Sequence, residues 1–229
     1  SKFPLGVMKK PPGSTTREAQ SILRATFTNA SEAALWPVSA TTSNFVYQTS
    51  DGCILRFPQN DWVSEAFFRE RKLLNQLKDR LGVSIPQVIH FNEQPVFMAY
   101  RAIEGMVASR DAVSTLNSKC RERFGAGLGA FIARLHSQKA DQFNFLPRDY
   151  SEELLRRLRQ NASQIGKRDP EGKVGHLILE TLEAWEEVRN RNGKLVLLHQ
   201  DLQGQNLISN RETGELVGVL DFTLAWIGD

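Results

Sequence analysis

The sequence predicts an α+β protein in two parts, a β-rich N-terminal part with one main helix and a mostly helical C-terminal part. Three observations carry this. Two β-prone runs meet at Asp51-Gly52, a long amphipathic stripe follows from Asn60, and after residue 106 the apolar spacing is helical. The length of 229 residues allows one large domain or two small lobes. Hydrophobic residues at 41% and charged residues at 24% exclude a disordered or collagen-like chain.

Residues 1–14, rich in Lys, Pro and Gly, read as a tail, and Thr15 to Ala25 as a short helix contacting through Ile22 and Leu23. Phe45 to Thr49 and Cys53 to Phe57 flank Ser50-Asp51-Gly52, a hairpin whose second strand stops at Pro58. Asn60 or Asp61 then caps a helix to about Leu81, with Gly82 as its stop. Its apolar positions Val63, Phe67, Leu74, Leu77 and Leu81 leave a gap filled by Glu70. A carboxylate on a buried stripe is costly unless paired, so either Glu70 has a cationic partner or the helix is turned with Glu70 at the edge.

Gln87 to Phe91 and Val96 to Tyr100 form a second hairpin, and Ile103-Glu104-Gly105 a connector. Phe124, Leu128, Phe131 and Leu135 mark a helix ending at His136-Ser137. Further helices are expected around Glu152 to Arg159 and from Leu177 to Val188, the latter with Trp185 in the core and a stop near Gly193. Strands close the chain at Leu195 to Leu198 and Leu216 to Leu220. The boundary falls near residues 101–106, dividing 1–103 from 104–229, and a cleft between two such lobes is a default place for a ligand.

With 29 Lys and Arg against 26 Asp and Glu, the net charge is +3, too little to argue for nucleic acid but suited to an anionic ligand. Cys53 and Cys120 lie too far apart in sequence for a zinc pairing and read as ordinary thiols in a reducing compartment. No apolar run approaches the roughly 20 residues that span a bilayer, and the first ten residues lack a signal-like apolar core. A cytoplasmic protein without membrane partners is expected.

The segment His199-Gln200-Asp201-Leu202-Gln203-Gly204-Gln205-Asn206-Leu207-Ile208 carries the chemistry. A polar loop pinned between two apolar runs holds side chains on a scaffold, where they can act. Fifteen residues after Asn206, a strand delivers Asp221 at its end. If Ser209 to Gly214 is a hairpin turn, Asn206 and Asp221 return to the same end of a two-stranded ribbon. Their oxygens are hard ligands suited to Mg²⁺, and Asp201 is placed to take a proton from an attacking hydroxyl, the division of labour that phosphoryl transfer needs.

The pattern H-x-D-x-x-x-x-N followed by Asp221-Phe222 resembles the catalytic and metal loops of the protein-kinase-like fold. In the form seen here it is most similar to the aminoglycoside phosphotransferase and choline kinase branch. Asn44 to Tyr47, the Asp51-Gly52 hairpin, Leu55-Arg56-Phe57-Pro58, the helix with Glu70 and Leu135-His136-Ser137 stand in that family's order, so the likeness covers about residues 20–229. It implies a nucleotide-binding N-terminal lobe and a small-molecule kinase that moves the γ-phosphate of ATP or GTP to a hydroxyl of an aminoglycoside-, macrolide- or choline-like acceptor. Asp201 would be the catalytic base, and Asn206 and Asp221 the Mg²⁺ ligands. His199 would brace the loop. Arg56 would bind phosphate with Glu70 as its ion-pair partner, Ser39 to Asn44 (Ser43 and Asn44 included) would be the loop above the phosphates, and Tyr100 would begin the hinge near the purine.

Departures stand beside this. The loop Ser39 to Asn44 has no G-x-G-x-x-G, Arg56 replaces the frequent Lys, and Thr223 follows Asp221-Phe222 in place of Gly. Helices that line the family's acceptor pocket usually follow where this sequence stops, so a truncated C-terminal part is expected. The alternative is a non-catalytic, kinase-like nucleotide-binding module or fragment. Glu183, Glu186 and Glu187 would suit a cationic acceptor but read as easily as a solvated helix face.

Overall fold

The computed structural model describes residues 11–26, 34–40, 43–148, 156, 158–162, 164, 173–192 and 194–228. The chain divides into two compact units, Ser1–Phe131 with Asp201–Leu224, and Ile132–Gln200 with Ala225–Asp229. The connector Ile103-Glu104-Gly105 lies within the first.

The first unit is built on a five-stranded antiparallel sheet. Its strands are β1 (Leu35–Ala40), β2 (Asn44–Thr49), β3 (Cys53–Pro58), β4 (Val88–Glu93) and β5 (Val96–Arg101), in the order β1-β2-β3-β5-β4. Both expected hairpins form. Gly52 takes φ 81° at the first turn, a left-handed conformation that costs glycine little. Strand β1 has no counterpart in the sequence pattern. Pro37 and Ser39 interrupt any alternation, and its pairing with β2 shifts register between them.

Side-chain alternation sorts the sheet's two faces. On one, Leu55, Phe57, Phe97 and Ala99 pack with Ala19 and Leu23 of α1 (Thr16–Thr26). On the other, Met98 and Tyr100 pack with Val63 and Phe67 of α2 (Asp61–Leu77). Arg56 lies between Leu55 and Phe57, so the period of two turns it to the α2 side.

Helix α2 is capped by Asn60, whose side-chain oxygen accepts from the Val63 backbone N–H at 3.0 Å. Its buried positions, Val63, Ala66, Phe67, Glu70, Leu73, Leu74 and Leu77, follow spacings of three and four. The helix ends at Leu77, four residues before the expected last residue, Leu81. Lys78 leaves the helical region and Asp79 adopts φ 61°. Leu81 is buried but reached through the turn, which is why the apolar spacing overstated the helix.

Two short strands, β6 (Met106–Val107) and β8 (Leu207–Ser209), join β9 (Leu216–Val219) in a three-stranded sheet of the same unit. Between β6 and β8 come α3 (Arg110–Ser114) and α4 (Ser118–His136), then α5 (Lys173–Asn192) and β7 (Val196–Leu198). Helix α4 carries the expected stripe, with Phe131 and Leu135 buried.

In the second unit, β7 pairs antiparallel with β10 (Trp226–Gly228), and the Ile227 N–H donates to the Pro147 carbonyl at 2.9 Å. Helix α5 buries Leu182 but leaves Trp185 36% exposed, correcting its placement in the core. Residues 1–10, most of the stretch 152–159 and Gly193 lie outside the described residues. No helix among the described residues is long and apolar enough to cross a membrane.

Candidate active site

The first unit brings most of the predicted residues into two clusters. The first centres on Arg56. Its Nη1 donates to both Glu70 oxygens, at 2.9 and 3.0 Å, and Nη2 donates to Asp221 Oδ1 at 2.8 Å and to Thr223 Oγ1 at 2.9 Å. With its amide oriented to satisfy both ends, the Asn44 oxygen accepts from Nη2 at 3.2 Å and its nitrogen donates to the Ser43 carbonyl at 3.2 Å. The guanidinium also lies 4.9 Å from the centre of the Phe67 ring. Glu70 therefore has its cationic partner and is fully inside the stripe, at 1% exposure.

Glu70 does more than pair with Arg56. Its Oε1 accepts the Phe222 backbone N–H at 2.9 Å, tying α2 to the backbone after Asp221. Asp221 itself sits at φ 59°, a left-handed conformation uncommon for a residue with a side chain. Such backbone persists where surrounding bonds over-determine it, and here Arg56 and Thr223 both hold Asp221 Oδ1.

The electrostatics follow from one cation and two carboxylates in a buried space. Burial opposes the charge on Arg56, but Glu70 and Asp221 outweigh it and hold the guanidinium above its ordinary value. For Asp221, burial raises the carboxyl, and Arg56 with the Thr223 bonds outweighs that, leaving it below the ordinary value. Burial pushes the Glu70 carboxyl up against the pull of Arg56. The ring of Tyr100 faces the same side of the sheet, where burial pushes its phenol up to about 12.

The second cluster is the loop of Asp201 and Asn206. Asn206 Nδ2 donates to the Asp201 carbonyl at 2.9 Å and to Asp201 Oδ2 at 2.8 Å. Gln203 Nε2 donates to the same oxygen at 3.2 Å. These bonds use the nitrogen end of the Asn206 amide and turn Oδ1 away from Asp201. Gly204 lets the loop pass close to the chain, since a Cβ there would lie 2.4 Å from the Ala108 carbonyl oxygen. His199, just before the loop, is buried.

The expected ribbon joins the clusters. β8 and β9 pair antiparallel with Leu207 opposite Val219, and the Leu220 N–H donates to the Asn206 carbonyl at 2.8 Å. Asn206 and Asp221 thus stand at one end of two strands. Among the described residues no group of three or more His, Cys, Asp or Glu could hold a metal. The available set is one amide oxygen and one carboxylate, which fits a hard cation that completes its shell with phosphate and water. Of the loop 39–44, Ser39 and Ala40 belong to β1, while Thr41 and Thr42 lie outside the described residues. In the sequence Thr223 stands out only by occupying a position where relatives have glycine. Its hydroxyl contacts depend on partners far away in the chain, which no local pattern announces.

A strand-borne cation paired to a helix carboxylate, an aspartate–asparagine loop and a ribbon-end aspartate are the parts of a protein-kinase-like phosphotransferase fold. The model of the phosphotransferase enzyme family (APH) matches residues 35–229, and the chain belongs to that family. By that membership it is a phosphotransferase. Comparison with curated protein sequences finds no match. Among solved structures, a GDP complex of a point mutant of aminoglycoside 2'-phosphotransferase-IIIa superposes with a TM-score of 0.83 at 20% identity, covering 94% of this chain and 74% of that one. A related aminoglycoside phosphotransferase bound to GDP and kanamycin gives 0.82 at 19% identity, covering 92% and 74%. A macrolide 2'-phosphotransferase from Brachybacterium faecium gives 0.64 at 21% identity, covering 92% and 73%.

Proposed function

We propose that the chain binds ATP or GTP with Mg²⁺ and transfers the γ-phosphate to a hydroxyl of an aminoglycoside- or macrolide-like molecule. Solved structures of similar fold contain GDP, ADP or ATP, and some contain kanamycin, streptomycin or gentamicin. The observation that carries this reading is the 2.8 Å bond from Arg56 to Asp221, residues 165 positions apart, which joins the sheet to the ribbon that holds Asn206.

In this reading Asp201 accepts the proton of the acceptor hydroxyl as its oxygen attacks the γ-phosphorus. The bond to the bridging oxygen breaks and the nucleoside diphosphate leaves. Asn206 Oδ1 and Asp221 hold Mg²⁺, which neutralises charge on the phosphates when bound. Arg56 faces the phosphates from the sheet and Glu70 fixes its fork. Ser43 and Asn44 lie at the start of β2 beside it, and Tyr100 marks the strand on the purine side. The division of the chain into a nucleotide-binding part, 1–103, and a catalytic part, 104–229, belongs to the same proposal.

The test is nucleotide-dependent phosphorylation of kanamycin-type, macrolide-type and choline-type alcohols, followed by mass spectrometry. A phosphorylated product that disappears with Asp201→Asn, while ADP or GDP binding persists, supports the reading. Unchanged product formation in that variant removes Asp201 from the mechanism.

A further inference from the structure

Thr223 is the least expected member of the Arg56 cluster. It is buried, and its hydroxyl oxygen touches three charged side chains: Arg56 Nη2 at 2.9 Å, Glu70 Oε2 at 3.0 Å and Asp221 Oδ1 at 2.5 Å. Arg56 has no acceptor, so it must be the donor in the first contact. The hydroxyl then has a single proton for two carboxylates. It donates either to Asp221 or to Glu70, and rotation about one bond exchanges them.

The alternatives differ in what they do to Asp221. With the proton on Oδ1, the carboxylate is held toward Arg56 by the guanidinium, the hydroxyl and the Thr223 backbone N–H, the last at 3.3 Å. With the proton on Glu70, that hydroxyl donor is withdrawn from Asp221. Glu70 keeps its donors from Arg56 and Phe222 in both cases. The position is thus built to change the number of bonds on one carboxylate without stripping the other.

We propose that Thr223 is a positioning residue whose hydroxyl, shared between Asp221 and Glu70, sets the orientation in which Asp221 meets a divalent cation. This rests on the reading of Asp221 as a metal ligand. A glycine at this position would leave Asp221 with Arg56 and backbone donors only. Groups that orient metal ligands typically change metal affinity by about 10–100-fold when removed.

The experiment is a Mg²⁺ titration of ADP and GDP binding by calorimetry on the full chain, for wild type, Thr223→Val, Thr223→Ser and Asp221→Asn. Thr223→Val keeps the shape and removes the hydroxyl. It should raise the Mg²⁺ needed for half-saturation by about tenfold, a larger change than any in nucleotide affinity measured in EDTA. Thr223→Ser should return the Mg²⁺ requirement to within about twofold of wild type, because the hydroxyl remains. Thermal denaturation accompanies each variant, and Thr223→Ala replaces Thr223→Val if the latter does not fold. A wild-type Mg²⁺ requirement in the hydroxyl-free variant overturns the inference, as does an equal shift in the Ser variant, which keeps the hydroxyl and would show that the hydroxyl is not what matters. If Asp221→Asn leaves the Mg²⁺ requirement unchanged, the metal-ligand reading itself fails.

Discussion

The Arg56 cluster and the Asp201 loop meet through one ribbon, yet they are built on opposite plans. Around Arg56, charged groups are buried and bonded across more than 150 positions of sequence, from Glu70 to Thr223 and from Arg56 to Asp221. Around Asp201, the bonds are local, spanning two to five residues, and the aspartate is half-buried. The first plan fixes geometry, and each of its members is hard to remove because it leaves a buried charge behind. The second presents a half-buried carboxylate on a short tether, as the proposed role of Asp201 requires. In that proposal rigidity and reactivity fall to different residues.

That contrast predicts which substitutions harm chemistry and which harm folding. Asp201→Asn should lower turnover by about 100–10,000-fold, the range of a lost general base, with the thermal midpoint nearly unmoved. A comparable loss of stability would blur the distinction. Arg56→Met should do the reverse, since it strands Glu70 and Asp221. A loss of about 3–5 kcal/mol in denaturant unfolding is expected. Adding Glu70→Leu should recover much of that stability without restoring nucleotide binding. Recovery of binding would show that the pair serves folding alone.

Smaller effects sharpen the comparison further. Gly204→Ala pushes a Cβ toward the Ala108 carbonyl and should shift the loop, costing about 1–3 kcal/mol of stability and reducing turnover more than nucleotide affinity. Asn60→Ala removes the cap of α2, the helix that carries Glu70, and should cost about 1 kcal/mol with kinetic constants unchanged. A change in Mg²⁺ dependence in that variant would mean that the helix end reaches the site.

What the sequence disclosed depended on how local the signal was. The Asp51-Gly52 hairpin and helix α2 follow from turn chemistry and a period of three and four, so both stood out. Glu70 stood out because a carboxylate on an apolar stripe is costly without a cation, while Arg56 as that cation came from the family likeness and is seen in the structure. The end of α2 was not readable, since Leu81 is buried without being helical. Strand β1 hid behind Pro37 and its bulge, and β6 has two residues only. Trp185 kept the helical spacing of its neighbours, but the face it occupies is partly solvated. The Thr223 hydroxyl was invisible because its meaning comes from residues brought together by the fold.

In the proposed function Asn206 and Asp221 form, with Arg56, one site for a nucleotide and its cation. Calorimetry of GDP and ADP binding with and without Mg²⁺, on wild type and Asp221→Ala, tests it most directly. Mg²⁺ should enhance affinity in the wild type, and that enhancement should fall by about tenfold or more in the variant. Equal enhancement in both proteins would contradict it.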